Sequence, residues 1–158
     1  MITIARVDER LIHGQVAYAW TMAYPSDAVM AIDKEAANDQ IQKSLLEFAC
    51  PKKMKCFVVD EDSAVQTLKK HTDKRFFIVT KHPKTLLYLI DNGIDIKSVN
   101  IGGLYYKEGR KEFTKTIYLD QEDKNVLLEL DKKGIVLDGR TTATDKNIDL
   151  AKMIKEDI

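Results

Sequence analysis

Cysteine is scarce in this sequence, which has only two among 158 residues, Cys50 and Cys56. They lie too close together to close a useful disulfide loop, and they lack the partner spacing of a zinc site. We therefore expect two reduced, small apolar residues of the kind found in cytoplasmic proteins.

Long hydrophobic runs are also absent. No stretch approaches the ~20 uninterrupted apolar residues that a membrane-spanning helix needs. The opening run from Met1 to Ile4 ends too soon before Arg6 for a signal peptide. The expectation is a cytoplasmic chain without direct membrane insertion, associated with a membrane only through a partner.

The sequence has no excess of either charge sign. Lys plus Arg and Asp plus Glu both number 25, so the formal net charge is zero. This balance gives no overall attraction to nucleic acid or to an anionic membrane, and we predict no nucleic-acid partner. With 44% hydrophobic and 32% charged residues, the composition is that of a globular protein rather than a disordered one.

Short apolar runs alternate with amphipathic segments along the whole chain. The predicted strands cover residues 2–5, 28–32, 56–59, 76–79, 99–101, 116–119 and 135–137. The predicted helices cover residues 15–24, 36–49, 62–71, 83–92 and 120–133, with a short terminal helix at 147–158. We predict an α/β fold: a single domain over residues 1–158 with an open, mainly parallel central sheet of about seven strands and helices on both faces.

Ligands of open α/β sheets bind at the carboxyl ends of the strands. That rule selects the loop after the first strand, Asp33, Asp60, Lys81-His82 and Gly102-Gly103. The glycine pair either presents backbone N–H groups to a phosphate or forms a turn with positive φ. Asp33, like Asp39 further on, either contacts that first loop or starts a helix. Lys81 either faces a phosphate or belongs to a solvent-exposed loop.

The loop after the first strand contains two arginines, two carboxylates, a histidine and a glycine. Neutral imidazole is a nucleophile near physiological pH, and Arg10 can offer a bidentate guanidinium to a phosphoryl group. Gly14 leaves room beside His13, and the following helix presents free N–H groups to an anion. Asp8 could hold Arg10 or orient the imidazole. The alternative is a structural histidine beside an ordinary Asp8–Arg10 ion pair.

The segment from Arg6 to Val16, RVDERLIHGQV, closely resembles the phosphorylation-site segment of one protein family. That family is the IIB component of the mannose/fructose/sorbose group of the bacterial phosphoenolpyruvate-dependent sugar phosphotransferase system. The resemblance continues through residues 35–39, 42–45, 95–103 and 106–109, and so covers nearly the whole chain.

The resemblance implies a protein-N(π)-phosphohistidine–sugar phosphotransferase. In that family a phosphohistidine on a IIA domain phosphorylates the IIB histidine, here His13, with Arg10 stabilising the transferred group. The phosphorylated IIB domain then docks on the membrane IIC and IID subunits and phosphorylates the sugar. No metal or organic cofactor is implied, in line with the absence of a Walker-type loop. Our candidate phosphate-binding residues are Asp8, Gly14, Gln15, Gly102 and Gly103.

Two alternative functions stay open at this point. A phosphohistidine-type phosphatase would need an arginine directly before the histidine, where Ile12 stands, and a second histidine, for which His71 and His82 are available. A nucleotide-binding module would need a Gly-x-Gly-x-x-Gly loop after the first strand, and none is present. The sequence assigns no role to residues 138–145, and it identifies neither the sugar nor the ring nitrogen that is phosphorylated.

Overall fold

The short apolar runs form a parallel sheet at the centre of the computed structural model, which describes residues 1–157. The strands are β1 (Ile2–Asp8), β2 (Ala28–Ile32), β3 (Lys55–Val59), β4 (Phe76–Thr80), β5 (Ser98–Gly103), β6 (Lys111–Thr114), β7 (Ile117–Leu119) and β8 (Val136–Asp138). Six of them form the central sheet in the order β3-β2-β4-β1-β5-β8, and its neighbouring strands all pair in parallel.

Helices connect these strands. They are α1 (Gly14–Ala23), α2 (Lys34–Ala37), α3 (Gln40–Ala49), α4 (Glu61–Lys70), α5 (Pro83–Asp91), α6 (Gln121–Lys132) and α7 (Leu150–Glu156). Aspartate side chains accept first-turn N–H groups at the starts of α2, α3, α4, α6 and α7, which fixes where each begins. Within residues 1–157, no helix has the length and apolar character needed to cross a bilayer.

Alternate strand residues pack into two cores on opposite faces of the sheet. On β2, Met30 packs into the larger core, where it is joined by Leu86 of α5. The next residue, Ala31, packs into the smaller core with Trp20 of α1, which is buried as core rather than exposed for binding. The prediction of an α/β fold with helices on both faces is therefore confirmed.

The prediction of about seven strands in one sheet is wrong in one respect. The strand predicted at residues 116–119 is β7, which lies outside the central sheet in an antiparallel hairpin with β6. Strand β6 has the sequence KEFT and carries no apolar run, so the hydrophobic pattern gave no signal for it. The central sheet therefore has six strands.

Two helix predictions also need correction. The helix predicted at residues 36–49 is divided into α2 and α3, because the Asp39 carboxylate accepts the N–H groups of Ile41 and Gln42 and starts a new helix. The terminal helix predicted at 147–158 begins only at Leu150, and its residue Ile154 is buried in the larger core. The last predicted helical residue, Ile158, lies outside the described residues.

Near β1 the connections between strands reverse the direction in which they cross the sheet. After β1 the chain passes β4 to reach β2, with α1 on the face of the smaller core. After β4 it passes β1 to reach β5, with α5 on the other face. Because the two connections diverge on opposite faces, the carboxyl end of β1 is the position at which ligands of such folds bind.

Candidate functional site

The loop between β1 and α1 turns sharply at this edge of the sheet. The N–H of Leu11 donates to the carbonyl of Asp8 at 2.9 Å, and Leu11 has a φ of 58°, which is uncommon for a residue with a side chain. The side chains of Leu11 and Ile12 are buried in the smaller core and hold the turn in place. His13 therefore lies at the edge of the sheet, immediately before α1, with its side chain 19% exposed.

Asp8 is the fully buried centre of the site. Its Oδ1 accepts the backbone N–H of Arg10 at 3.0 Å, and its Oδ2 accepts from Nη2 of Arg6 at 3.0 Å. The same Oδ2 lies 2.9 Å from Nε2 of His13. Because an ionised carboxylate can only accept hydrogen bonds, Nε2 of His13 carries the proton. In the neutral ring, the other nitrogen, Nδ1, then keeps a free lone pair.

Arg6 is the buried cation that neutralises Asp8. It is 1% exposed, and its Nη1 donates to Oδ1 of Asn100 at 2.6 Å and to the carbonyl of Thr141 at 3.2 Å. Its guanidinium lies 5.3 Å from the centre of the Trp20 ring. Burial lowers the pKa of Arg6, and the carboxylate of Asp8 opposes that change. The pair thus places two opposite buried charges directly behind the His13 ring.

Gly102 and Gly103 lie in β5 against this ion pair. Neither has a positive φ, so the predicted alternative of a glycine turn is wrong. A Cβ on Gly102 would lie 2.1 Å from Cζ of Arg6, and one on Gly103 would lie 2.6 Å from Oδ1 of Asp8. These glycines leave the space that the Arg6 and Asp8 side chains occupy. Direct phosphate binding by the glycines stays a prediction.

Arg10 is the exposed cation of the site. Its side chain is 56% exposed, and its Nε lies 3.8 Å from Oδ1 of Asp8. The guanidinium lies 5.1 Å from the centre of the Tyr105 ring and makes a cation–π contact with it. Arg10 is therefore anchored at its base while its guanidinium can reach a group in front of His13.

Glu9 holds Tyr105, whose ring packs against the Arg10 guanidinium. Its Oε1 accepts the N–H of Tyr105 at 2.7 Å and a hydrogen bond from Arg110 at 2.8 Å, and its Oε2 lies 2.9 Å from Nζ of Lys107. Burial favours the neutral form of Glu9, but the hydrogen bonds from Lys107, Arg110 and the Tyr105 N–H outweigh it and lower the pKa. Glu9 thereby ties the β1–α1 loop to the segment after β5.

The first turn of α1 is open, unlike the helix starts that an aspartate caps. His13 precedes the helix in extended conformation, and its side chain makes no capping hydrogen bond. The N–H groups of Gly14 and Gln15 are therefore available, at the positive end of the helix dipole. Gly14 has a φ of 45°, and apart from its chain neighbours and the backbone of α1, no described residue has an atom within 4 Å of the position where its Cβ would be. An anion could be held there.

The other sequence-predicted positions lie outside this cluster. Asp33 and Asp39 cap α2 and α3, so the helix-start interpretation of both is confirmed. Lys81 lies 3.4 Å from the Asp33 carboxylate and pairs with it. Asp60 caps α4. His82 precedes α5, and burial followed by the charge of Lys84 lowers its pKa.

Residues 138–145, for which the sequence predicted no role, close over Arg6. The Thr141 carbonyl accepts a hydrogen bond from Arg6 at 3.2 Å, and the Arg140 carbonyl accepts one from Nδ2 of Asn100 at 2.9 Å. Sequence reasoning missed the pairing of Arg6 with Asn100 and Thr141, because these partners lie 94 and 135 positions away along the chain. The one available signal was the charge of Arg6, which lies between the apolar residues Ala5 and Val7 of the first strand.

Comparison with known proteins shows the family. The sorbose-subfamily IIB component of the phosphotransferase system (PTS) matches residues 2–158. The PTS system sorbose-specific EIIB component of Lacticaseibacillus casei is 35% identical over 158 residues, which cover 99% of this chain and 96% of that protein. The PTS system mannose-specific EIIAB component of Escherichia coli K12 is 29% identical over 158 residues, or 99% of this chain and 49% of that protein.

A solved structure shows the same architecture. The crystal structure of the IIBSor domain of the sorbose permease from Klebsiella pneumoniae matches with a TM-score of 0.95 and 34% sequence identity, covering 100% of this chain and 98% of that one. Family match, sequence identity and fold agree over essentially the full length. The chain therefore belongs to the sorbose subfamily of PTS IIB components.

Proposed function

We propose that Nδ1 of His13 accepts a phosphoryl group from a phosphohistidine donor and passes it to a sugar. Membership of the family makes the chain a phosphotransferase that carries phosphoryl groups in sugar uptake. The residue-level assignment rests on one observation, the 2.9 Å contact between Nε2 of His13 and the Asp8 carboxylate. That contact leaves Nδ1 free, beside the open start of α1.

The first transfer replaces one P–N bond by another. The lone pair of Nδ1 attacks the phosphorus in line with the donor nitrogen, whose P–N bond breaks and returns its electron pair to the donor ring. The His13 ring gains positive charge in this step, and Asp8 stabilises it through Nε2–H. In the second transfer a sugar hydroxyl attacks the phosphorus, the P–N bond breaks back to Nδ1, and the hydroxyl proton is released.

Three groups in front of His13 compensate the negative charge of the transferred phosphoryl group. Arg10 offers a planar fork of donors to two phosphoryl oxygens, and the N–H groups of Gly14 and Gln15 offer two further hydrogen bonds. Asp8 does not contact the phosphoryl group in this proposal. It acts by binding Nε2 of the His13 imidazole. In this proposal Gly102 and Gly103 act through the space they give to Arg6 and Asp8.

We place a IIA domain as the donor and the membrane IIC and IID subunits on the acceptor side. The Escherichia coli relative is named an EIIAB component, and this chain spans 49% of its length, which supports a IIA domain as the matching partner. Relatives named for sorbose, mannose and fructose support a hexose as the sugar. The chain would then work in the cytoplasm, peripheral to the membrane through the permease subunits.

Mass spectrometry after incubation with phosphoenolpyruvate, the general PTS proteins and a cognate IIA domain tests the proposal. We expect one acid-labile phosphoryl group on the His13 peptide and none in His13→Ala, with little change in melting temperature. Because His13 lies at the rim of the fold, its side chain carries little of the core packing. A label on His82, or no label on a folded chain with active IIA domain, would contradict the proposal and reopen the phosphatase and nucleotide-binding alternatives.

Arg10→Lys should keep the fold but slow phosphoryl transfer by on the order of 10-fold, because lysine retains the charge and loses the bidentate geometry. Stability should change by less than about 0.5 kcal/mol, since the side chain is mostly exposed. Rapid-quench measurement of label transfer gives the rate. Arg75→Lys is the matched control, because Arg75 forms an exposed ion pair with Asp27 away from the His13 cluster. Equal rates in both variants would remove Arg10 from the site.

A further inference from the structure

The helices α1 and α3 expose an unusual amount of apolar surface. Tyr18 and Met22 of α1 and Ile41, Leu45 and Phe48 of α3 are all between 54% and 89% exposed. No residue of α3 is fully buried. Each set follows helical spacing, so the side chains form one stripe on each helix. A stripe of this size on a folded protein indicates a surface that another molecule covers.

Between α1 and the end of α3, with the loop from Cys50 to Met54 that follows it, lies a groove with a volume of about 1060 Å³; Ile41 and Leu45 are not among its lining residues. Tyr18 and Met22 line one side of it, and Phe48 lines the other. At one end the lining includes Gly14 and Gln15, which directly follow the proposed phosphoryl acceptor. The apolar groove and the His13 site are therefore parts of one continuous surface.

The position of His13 dictates how far a docked donor must reach. A standard protein interface covers about 800 Å² on each partner, which corresponds to a disc with a radius of roughly 16 Å. The axial distance from Gly14 to Met22 along α1 is about 12 Å at 1.5 Å per residue. An interface of this size that is centred on His13 therefore reaches along α1 as far as Met22.

The charged residues around the groove indicate which charge a partner would carry. Lys52 and Lys53 line it, with Glu47 as the one carboxylate among its lining residues in the described chain. On the opposite side of His13 the cations Lys107 and Arg110 already pair with Glu9. The groove side thus combines an apolar centre with a basic rim, the arrangement of a specific protein interface.

We propose that the α1–α3 groove is the docking surface for the phosphohistidine donor domain, which presents an apolar ridge flanked by carboxylates. The inference rests on the proposed function, because it places the donor of that same transfer. A second copy of the chain seated in the groove would cover Gly14 and Gln15 and shield His13 from its donor. Self-association there would therefore oppose the reaction.

The double variant Met22→Gln/Phe48→Gln tests the docking surface. Its second-order rate of phosphorylation by the donor domain should fall at least about 10-fold, as truncation of central interface residues does. Phosphoramidate, a small phosphoryl donor that needs no docking, should phosphorylate His13 at the wild-type rate. Val136→Gln is the matched control: Val136 is 63% exposed on β8, at the opposite edge of the sheet from β3. It should behave as wild type with both donors.

The basic rim is tested by Lys52→Glu/Lys53→Glu, which should lower the same second-order rate and weaken its salt dependence. Wild-type rates in both double variants would overturn the docking assignment alone. A loss seen only in onward transfer through the membrane subunits, or a dimer of the wild-type chain that Met22→Gln/Phe48→Gln dissociates in sedimentation velocity, would assign the groove to another occupant and overturn it too. Failure of the wild type to accept phosphate from either donor would instead overturn the proposed function, and the inference with it.

Discussion

Asp8→Asn should reduce phosphoryl transfer to His13 by on the order of 10³- to 10⁴-fold, the loss expected when a catalytic imidazole is held in the wrong tautomer. The wild-type carboxylate can only accept, so Nε2 of His13 keeps its proton and Nδ1 keeps its lone pair. An asparagine amide can donate to Nε2 instead. The proton then moves to Nδ1, which can no longer attack phosphorus.

The same substitution leaves Arg6 buried without its carboxylate. Removing one member of a buried ion pair costs about 3–5 kcal/mol, so Asp8→Asn should also be destabilised. Rates must therefore be measured where chemical denaturation shows the variant to be folded. The ¹⁵N shifts of the His13 ring nitrogens then report the tautomer independently of the rate.

Asp33→Asn is the matched control for this variant. Asp33 is an aspartate at the same edge of the sheet, but it caps α2 and pairs with Lys81, without a hydrogen bond to His13. We expect a stability loss of about 1 kcal/mol or less for this capping residue and an unchanged transfer rate. A folded Asp8→Asn that keeps the wild-type tautomer and rate would show that Asp8 does not orient His13.

The sequence was most informative where the site is local. Asp8, Arg10, His13 and Gly14 lie within seven consecutive residues, so their proximity follows from the chain itself. The strand–helix alternation also placed this loop at the carboxyl edge of a parallel sheet, because that edge is the same for every parallel strand. The fold class and the grouping of these four residues could therefore be predicted together.

The support of the site could not be predicted in the same way. Arg6 reaches Asn100 and Thr141, and no local pattern records a hydrogen bond between residues so far apart along the chain. Strand β6, and with it the hairpin to β7, was missed for a different reason, since a polar strand such as KEFT lacks the apolar signature. Gly102 and Gly103 look like a turn in the sequence, and only the packed structure shows the side chains that need their space.

Gly102→Ala should be the second most damaging substitution, with loss of stability and of transfer rate together. The new Cβ would lie 2.1 Å from the Arg6 guanidinium, which is buried and can move aside only by breaking its hydrogen bonds to Asp8, Asn100 and Thr141. Overpacking of this kind costs about 1–3 kcal/mol. The displaced Arg6 would no longer hold Asp8 in place. Because Asp8 orients His13, the rate of phosphoryl transfer should fall as well.

The comparison variant is Gly139→Ala. Its Cβ would lie 3.0 Å from Cγ2 and 3.3 Å from Cβ of Ile148, a much milder overlap than the 2.1 Å approach at Gly102, so a loss below about 1 kcal/mol is expected. Denaturant unfolding gives the stabilities, and rapid-quench labelling gives the rates.

A double-mutant cycle between Gly102→Ala and Arg6→Met identifies the partner of the glycine. If the clash with the guanidinium is the cause, shortening and discharging Arg6 removes it, and the two changes should be non-additive by about 1 kcal/mol or more. The glycine would instead contact the phosphate directly if Gly102→Ala slowed transfer at wild-type stability and the cycle were additive. That result would return Gly102 to the phosphate-binding surface and leave Arg6 as an independent support of Asp8.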